Sequence, residues 1–107
     1  MSNIAVLTNC ASRKEARQIA QALVDARLAA CVNLGAHVKS FYRWKGKVET
    51  AKEVPVMIKT TRARFKAVEK TIRELHSYDV PEIIALPIVA GSKNYLSWLA
   101  QSVAEKK

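Results

Sequence analysis

The chain is poor in the residues that staple, anchor or disorder a protein. Its only cysteines are Cys10 and Cys31, too few for a disulfide framework, and in a reducing compartment both stay as thiols. No stretch approaches the roughly 18 uninterrupted apolar residues of a membrane span, so no membrane partner is expected. Met1, Ser2 and Asn3 lack the basic segment and apolar run of a secretory leader, which makes the cytoplasm the expected location. There is no block of like charges to mark a disordered arm, no low-complexity tract and no internal repeat. Acidic residues are scarce too: nine Asp and Glu stand against 18 Lys and Arg, a formal net charge of +9. That balance favours solubility and attraction to anions without singling one out.

What is present suits one ordinary core. Half of the 107 residues are apolar, enough for a single domain over residues 1–107 and too few for a second. Ile4, Ala5, Val6, Leu7 and Thr8 form a short β-branched run, the first predicted strand. Ser12 and Glu15 have capping-box spacing, and Ala16, Ile19, Ala20 and Leu23 recur with helical period, predicting a helix from Ser12 to about Ala26. From Leu28 to Trp44 the pattern is extended. Lys45, Gly46 and Lys47 then supply a turn, and Val54, Val56, Ile58 and Thr60 alternate, so the two runs make a long hairpin. Its first arm, 17 residues at about 3.3 Å each, would reach roughly 55 Å, far beyond the ~13 Å radius of gyration of such a domain. It must bend or protrude. Gly35 is the candidate bend, and Pro55, which lacks an amide, the candidate edge or break in the ladder. The edges of a protruding ribbon invite pairing with another subunit.

Thr61 is the expected cap of a second helix with Phe65, Val68, Ile72 and Leu75 on its core face. Lys66, Lys70 and Arg73, with Arg62 one turn earlier, read as a solvated face. Pro81 sets the turn into a near-continuous apolar strand, Ile83 to Val89, in which Pro87 requires an edge or a bulge. Gly91 stops that strand, and Ser92 opens a last helix with Leu96, Leu99 and Val103 inward. The order predicts an α+β, ferredoxin-like βαββαβ sandwich with a long central β-hairpin and an extra C-terminal helix.

Several stretches resemble one family in order and spacing: Arg27 to Asn33 (RLAACVN), Phe41 to Lys47 (FYRWKGK), Ile58 to Thr61 (IKTT), His76 to Ile88 (HSYDVPEIIALPI) and Tyr95 to Leu99 (YLSWL). The Trp-Lys-Gly-Lys turn and the Tyr-x-x-Pro-Glu-Ile-Ile strand entry are the specific parts. They are similar to the CutA divalent-cation-tolerance proteins. The resemblance implies a homotrimer held by shared strands and likened to the PII signalling proteins, and a non-enzymatic role in tolerance to divalent cations, copper especially.

The same resemblance implies copper ligands at a cysteine near the end of the first strand and at paired histidines before the Tyr-x-x-Pro-Glu stretch. Here the strand position is Thr8, with Cys10 two residues on, and Leu75 stands before a single His76. The expected metal set is therefore His76 and Cys10, joined by Glu82, with no four-ligand cage. Cys31 reads as a small hydrophobe in an apolar strand and His37 as a surface residue of the hairpin. A second expected site is an inter-subunit cleft lined by Trp44, Lys59, Tyr78, Glu82, Tyr95 and Trp98, suited to a small polar or anionic ligand. Tyr95 and Trp98 also read as packing residues of the last helix.

Two other function classes fit a ferredoxin-like plan less well. An acylphosphatase needs a backbone cradle after the first strand; Asn9 and Arg13 are present, but Thr8 to Ser12 contains no glycine to wrap a phosphate. A nucleic-acid module needs stacking rings on the central strands, where this chain has Ile4, Val6, Ile83 and Ile84, so nucleic acid is not the expected partner.

Overall fold

The structure is a computed structural model in which residues 2–104 are described. The first strand, β1 (Asn3–Cys10), alternates strictly, sending Ile4, Val6, Thr8 and Cys10 into the core. Helix α1 (Arg13–Asp25) follows, with the Ser12 hydroxyl accepting the Glu15 amide at its start. Ala16, Ile19 and Leu23 form its buried stripe, the period-3.6 pattern of a helix laid on a sheet. The helix ends on Arg27 at φ 59°, a left-handed conformation that lets the Leu28 amide close back on the Leu23 carbonyl at 2.9 Å.

The long extended segment is two strands, not one: β2 (Cys31–Leu34) and β3 (Val38–Trp44) both pair antiparallel with β4 (Lys47–Thr61). Leu34 faces Val56 and Val38 faces Glu53, so Gly35, Ala36 and His37 stand against only Val54 and Pro55. One residue too many on one side is a bulge, and it bends the ribbon. Pro55 is thus no edge residue. It lies in a strand flanked on both sides, its carbonyl accepts the Gly35 amide at 2.9 Å, and a Cβ on Gly35 would meet Pro55 Cγ at 2.9 Å. Lys45 (φ 51°) and Gly46 (φ 81°) make the tight turn at the tip, as the positive φ values of a two-residue hairpin require.

Helix α2 (Phe65–Leu75) begins later than expected. Thr61 precedes a 3₁₀ turn, Arg62–Arg64, and makes no side-chain cap. Val68 and Ile72 are buried, whereas Leu75, expected in the core, is 40% exposed, because the chain turns at residue 76 and buries His76 in its stead. The last strand, β5 (Ile84–Pro87), is shorter than the apolar run that announced it and among the described residues pairs only with β1, so Pro87 sits at a sheet edge, where its missing amide costs no ladder bond.

The sheet runs β2-β4-β1-β5, with β3 continuing outward along β4; this is the ferredoxin-like arrangement. Helices α1 and α2 cover one face over a cluster that includes Ile4, Val6, Ile19, Leu23, Ile58 and Ile72. Helix α3 (Lys93–Ser102) buries Leu99, and Val103 at its C-terminal cap is buried with it, apart from that cluster. The ribbon gives the molecule its 46 Å long axis against 26 and 23 Å.

Candidate functional site

Where β1 passes into α1, three elements bring a thiol, a carboxylate and an imidazole together. Cys10 ends the inward face of β1, Glu15 occupies the first turn of α1, and His76 follows α2. One ligand atom from each, Sγ, a carboxylate oxygen and a ring nitrogen, lies within 4.8 Å of the others. Cys10 is fully buried, and the His76 and Glu15 side chains are 0% and 12% exposed.

The hydrogen bonds define the state of each group. The Tyr78 amide donates to His76 Nδ1 at 3.1 Å, so that nitrogen holds a lone pair, and Nε2–H donates to the Asn9 carbonyl at 2.7 Å. His76 is therefore a neutral imidazole whose Nδ1 looks toward Glu15 Oε2 at 3.6 Å. Glu15 accepts from the amides of Ala11 (3.3 Å) and Ser77 (3.0 Å), tying the start of α1 to the loop after α2. The Cys10 thiol is pushed up to about 12, first by burial and then by the carboxylate of Glu15 beside it, so it is protonated at neutral pH.

The expected metal set is thus regrouped. Cys10 and His76 are neighbours, Glu15 stands third, and Glu82 is directed elsewhere, accepting from Asn9 Nδ2 at 3.0 Å. Glu15 was visible in the sequence only as a capping residue; nothing local says that residue 76 will fold onto it. Thr8, at the strand position where the resemblance expects a thiol, is buried, and its hydroxyl has no partner among the described residues. Cys31 is half-buried, its thiol 3.7 Å from Asn33 Oδ1, and His37 is exposed.

The expected cleft divides in two within one chain. Trp44, Tyr78 and Glu82 line a cleft of about 740 Å³ between the ribbon and the loop at 78–82, together with Tyr42, Glu53 and Asp79. The Tyr78 hydroxyl donates to Glu53 Oε2 at 2.9 Å, and Tyr78 is held up to about 12 by burial and by that bond, which keeps it a donor. Lys59, Tyr95 and Trp98 form a separate group: Lys59 Nζ lies 5.9 Å from the Tyr95 ring centre, and the Tyr95 and Trp98 rings are 5.4 Å apart.

The fold and these groups define a small ferredoxin-like α+β protein with a projecting β-ribbon. More particularly, the chain belongs to the CutA1 divalent ion tolerance protein family, which matches residues 4–102. It is 45% identical over 97 residues to the divalent-cation tolerance protein CutA of Thermus thermophilus, covering 91% of this chain and 94% of that one. Protein CutA of Mus musculus is also 45% identical over 97 residues; the chain spans about half of that relative, 55%. Among solved structures, CutA1 from Oryza sativa superposes with a TM-score of 0.94 at 37% identity, over 99% of this chain and 97% of that one.

Proposed function

We propose that this chain is a non-enzymatic, single-domain, homotrimeric protein of the cytoplasm that binds a divalent cation, copper foremost, and reports its presence as a PII-like signalling protein would. The observation that carries the metal reading is the convergence of Cys10, Glu15 and His76. A thiolate and an imidazole suit copper or zinc rather than magnesium or calcium, and of the divalent first-row metals copper binds such donors most strongly. Binding requires the chain to give up two things: the Cys10 proton and the Tyr78 amide bond to His76 Nδ1. The affinity is accordingly moderate and proton-linked.

The trimer is supported by what the subunit leaves open. On the sheet face turned away from α1 and α2, Met57, Ile84 and Leu86 are 42%, 47% and 48% exposed, and Leu7 lies between Met57 and Ile84 in register. An apolar face of this kind, beside a β5 edge that pairs with no further strand among the described residues, is a surface suited to being covered. The cleft between ribbon and loop is the small-ligand site.

Titration of the purified protein with copper(II) and zinc against a chromophoric chelator tests the metal site. Cys10→Ser and His76→Ala each weaken binding by tenfold or more, ~1.4 kcal/mol, with folding checked by thermal melting; unchanged affinity in both variants refutes the assignment. Light scattering on a size-exclusion column gives three subunits for the native chain and one for Met57→Glu combined with Ile84→Glu. A native monomer refutes the trimer.

A further inference from the structure

The cleft between ribbon and loop collects charge of one sign. Its charged lining among the described residues is Glu53, Asp79 and Glu82, with no lysine or arginine beside them. In a chain of net charge +9 that is the reverse of what composition supplies. Tyr42, Trp44 and Tyr78 form the walls, and the negative face of an aromatic ring attracts cations.

Glu53 is the sharpest feature. It is only 7% exposed, and it lines the cleft. The one hydrogen bond to its carboxylate among the described residues comes from Tyr78 to Oε2, and no Lys, Arg or His of those residues pairs with it. The carboxylate faces the cleft with no basic side chain beside it, and a cation entering the cleft supplies the missing partner in a charge-assisted hydrogen bond. The three carboxylates do not converge as metal ligands do, since the only such group among the described residues is that of Cys10. The volume, about 740 Å³, is in the range of sites for small organic ligands.

We infer that this cleft binds a small organic ammonium ion, with its apolar part against Trp44 and Tyr42 and its charged head at Glu53. The inference rests on the cleft being the small-ligand site proposed above, and it makes the ligand a cation where the sequence suggested a polar or anionic one. The ammonium head belongs either to a free amine or to a lysine of another copy of the chain, and the titrations below distinguish the two sources.

Calorimetric titration of the native oligomer with benzylamine, benzyl alcohol and benzoate varies charge at constant ring size. Benzylamine, a cation at pH 7, binds about tenfold or more tighter than benzyl alcohol, the scale of one charge-assisted hydrogen bond. Benzoate binds weakest. Glu53→Gln lowers benzylamine to the level of the alcohol and leaves the alcohol unchanged, while Trp44→Leu, an exposed change that spares the fold, weakens both. Equal affinities, or benzoate the tightest, overturn the cationic assignment and leave the cleft a ligand site. No binding of any of the three overturns the cleft itself. Dissociation of the Glu53→Gln oligomer, with no benzylamine binding to the native one, assigns the cation to a second copy and overturns the free amine.

Discussion

Raising the pH should unfold this protein through one buried thiol. Cys10 titrates at about 12 in the folded chain against 9.0 for an ordinary thiol, so the folded state holds the proton more tightly than the unfolded state. The stabilisation from the neutral thiol is therefore fully present below pH 9 and is lost as the pH rises from there toward 12. At about 1.4 kcal/mol per pH unit the whole effect is ~4 kcal/mol, and at pH 10.5 about 2 kcal/mol is already gone. Tyr78, raised from 10.0 to about 12, acts in the same direction, so the native protein alone does not isolate Cys10. The assay is urea denaturation at pH 8 and pH 10.5 of the native chain and of Cys10→Ala, whose difference does. Between the two pH values the native chain loses about 2 kcal/mol more than Cys10→Ala. Equal losses would show that the thiol is solvated or unfavourably placed for neither form, and the burial argument would fail.

Gly35→Ala drives a Cβ to 2.9 Å from Pro55 Cγ and should cost about 1–3 kcal/mol by denaturant melts, with hydrogen exchange rising first along the ribbon. Arg27→Gly relieves a left-handed position at φ 59° and should stabilise by about 1 kcal/mol in the same assay. Ser12→Ala removes the cap on the Glu15 amide and should cost ~1 kcal/mol. Because a metal displaces the Cys10 proton, copper affinity should rise about tenfold per pH unit between pH 6 and pH 8 in the native chain, and the slope should fall by one proton in Cys10→Ser.

The elements with a strong period were legible in the residues themselves. The apolar stripe at Ala16, Ile19 and Leu23 and the alternation from Val54 to Thr60 each admit one backbone, and Ser12 with Glu15 marks one helix start. The bulge was half legible: Gly35 and Pro55 each announced an irregularity, but that they face one another depends on register across the hairpin, which neither shows alone. Thr61 misled because a residue able to cap need not do so: a 3₁₀ turn over Arg62–Arg64 intervenes, and the α-helix starts only at Phe65. Leu75 misled because position in the last turn of α2, not hydrophobicity, decides whether it or His76 is buried. At the site, Cys10 and His76 stand 66 positions apart in the sequence, and their meeting is a product of topology. Glu15 and Glu53 escaped because a carboxylate in a helix turn or a ribbon has no local signature of burial.

The two proposed sites meet at Tyr78. Its amide donates to His76 Nδ1 at 3.1 Å, and its hydroxyl donates to Glu53 Oε2 at 2.9 Å, so one residue spans the metal cluster and the cation cleft. A metal that takes the Nδ1 lone pair deprives the amide of its acceptor, shifts the loop, and loosens the phenol that orients Glu53. Metal and amine should then bind against one another. Linkage makes the effect reciprocal: the factor by which copper weakens benzylamine is the factor by which benzylamine weakens copper, and coupling of about 1–3 kcal/mol corresponds to roughly 5–150-fold. Tyr78→Phe removes the hydroxyl and keeps the amide, so it should retain copper binding while reducing the coupling. Benzylamine affinities identical with and without saturating copper would mean that the loop moves as a rigid piece, and that metal occupancy is not transmitted to the cleft through Tyr78.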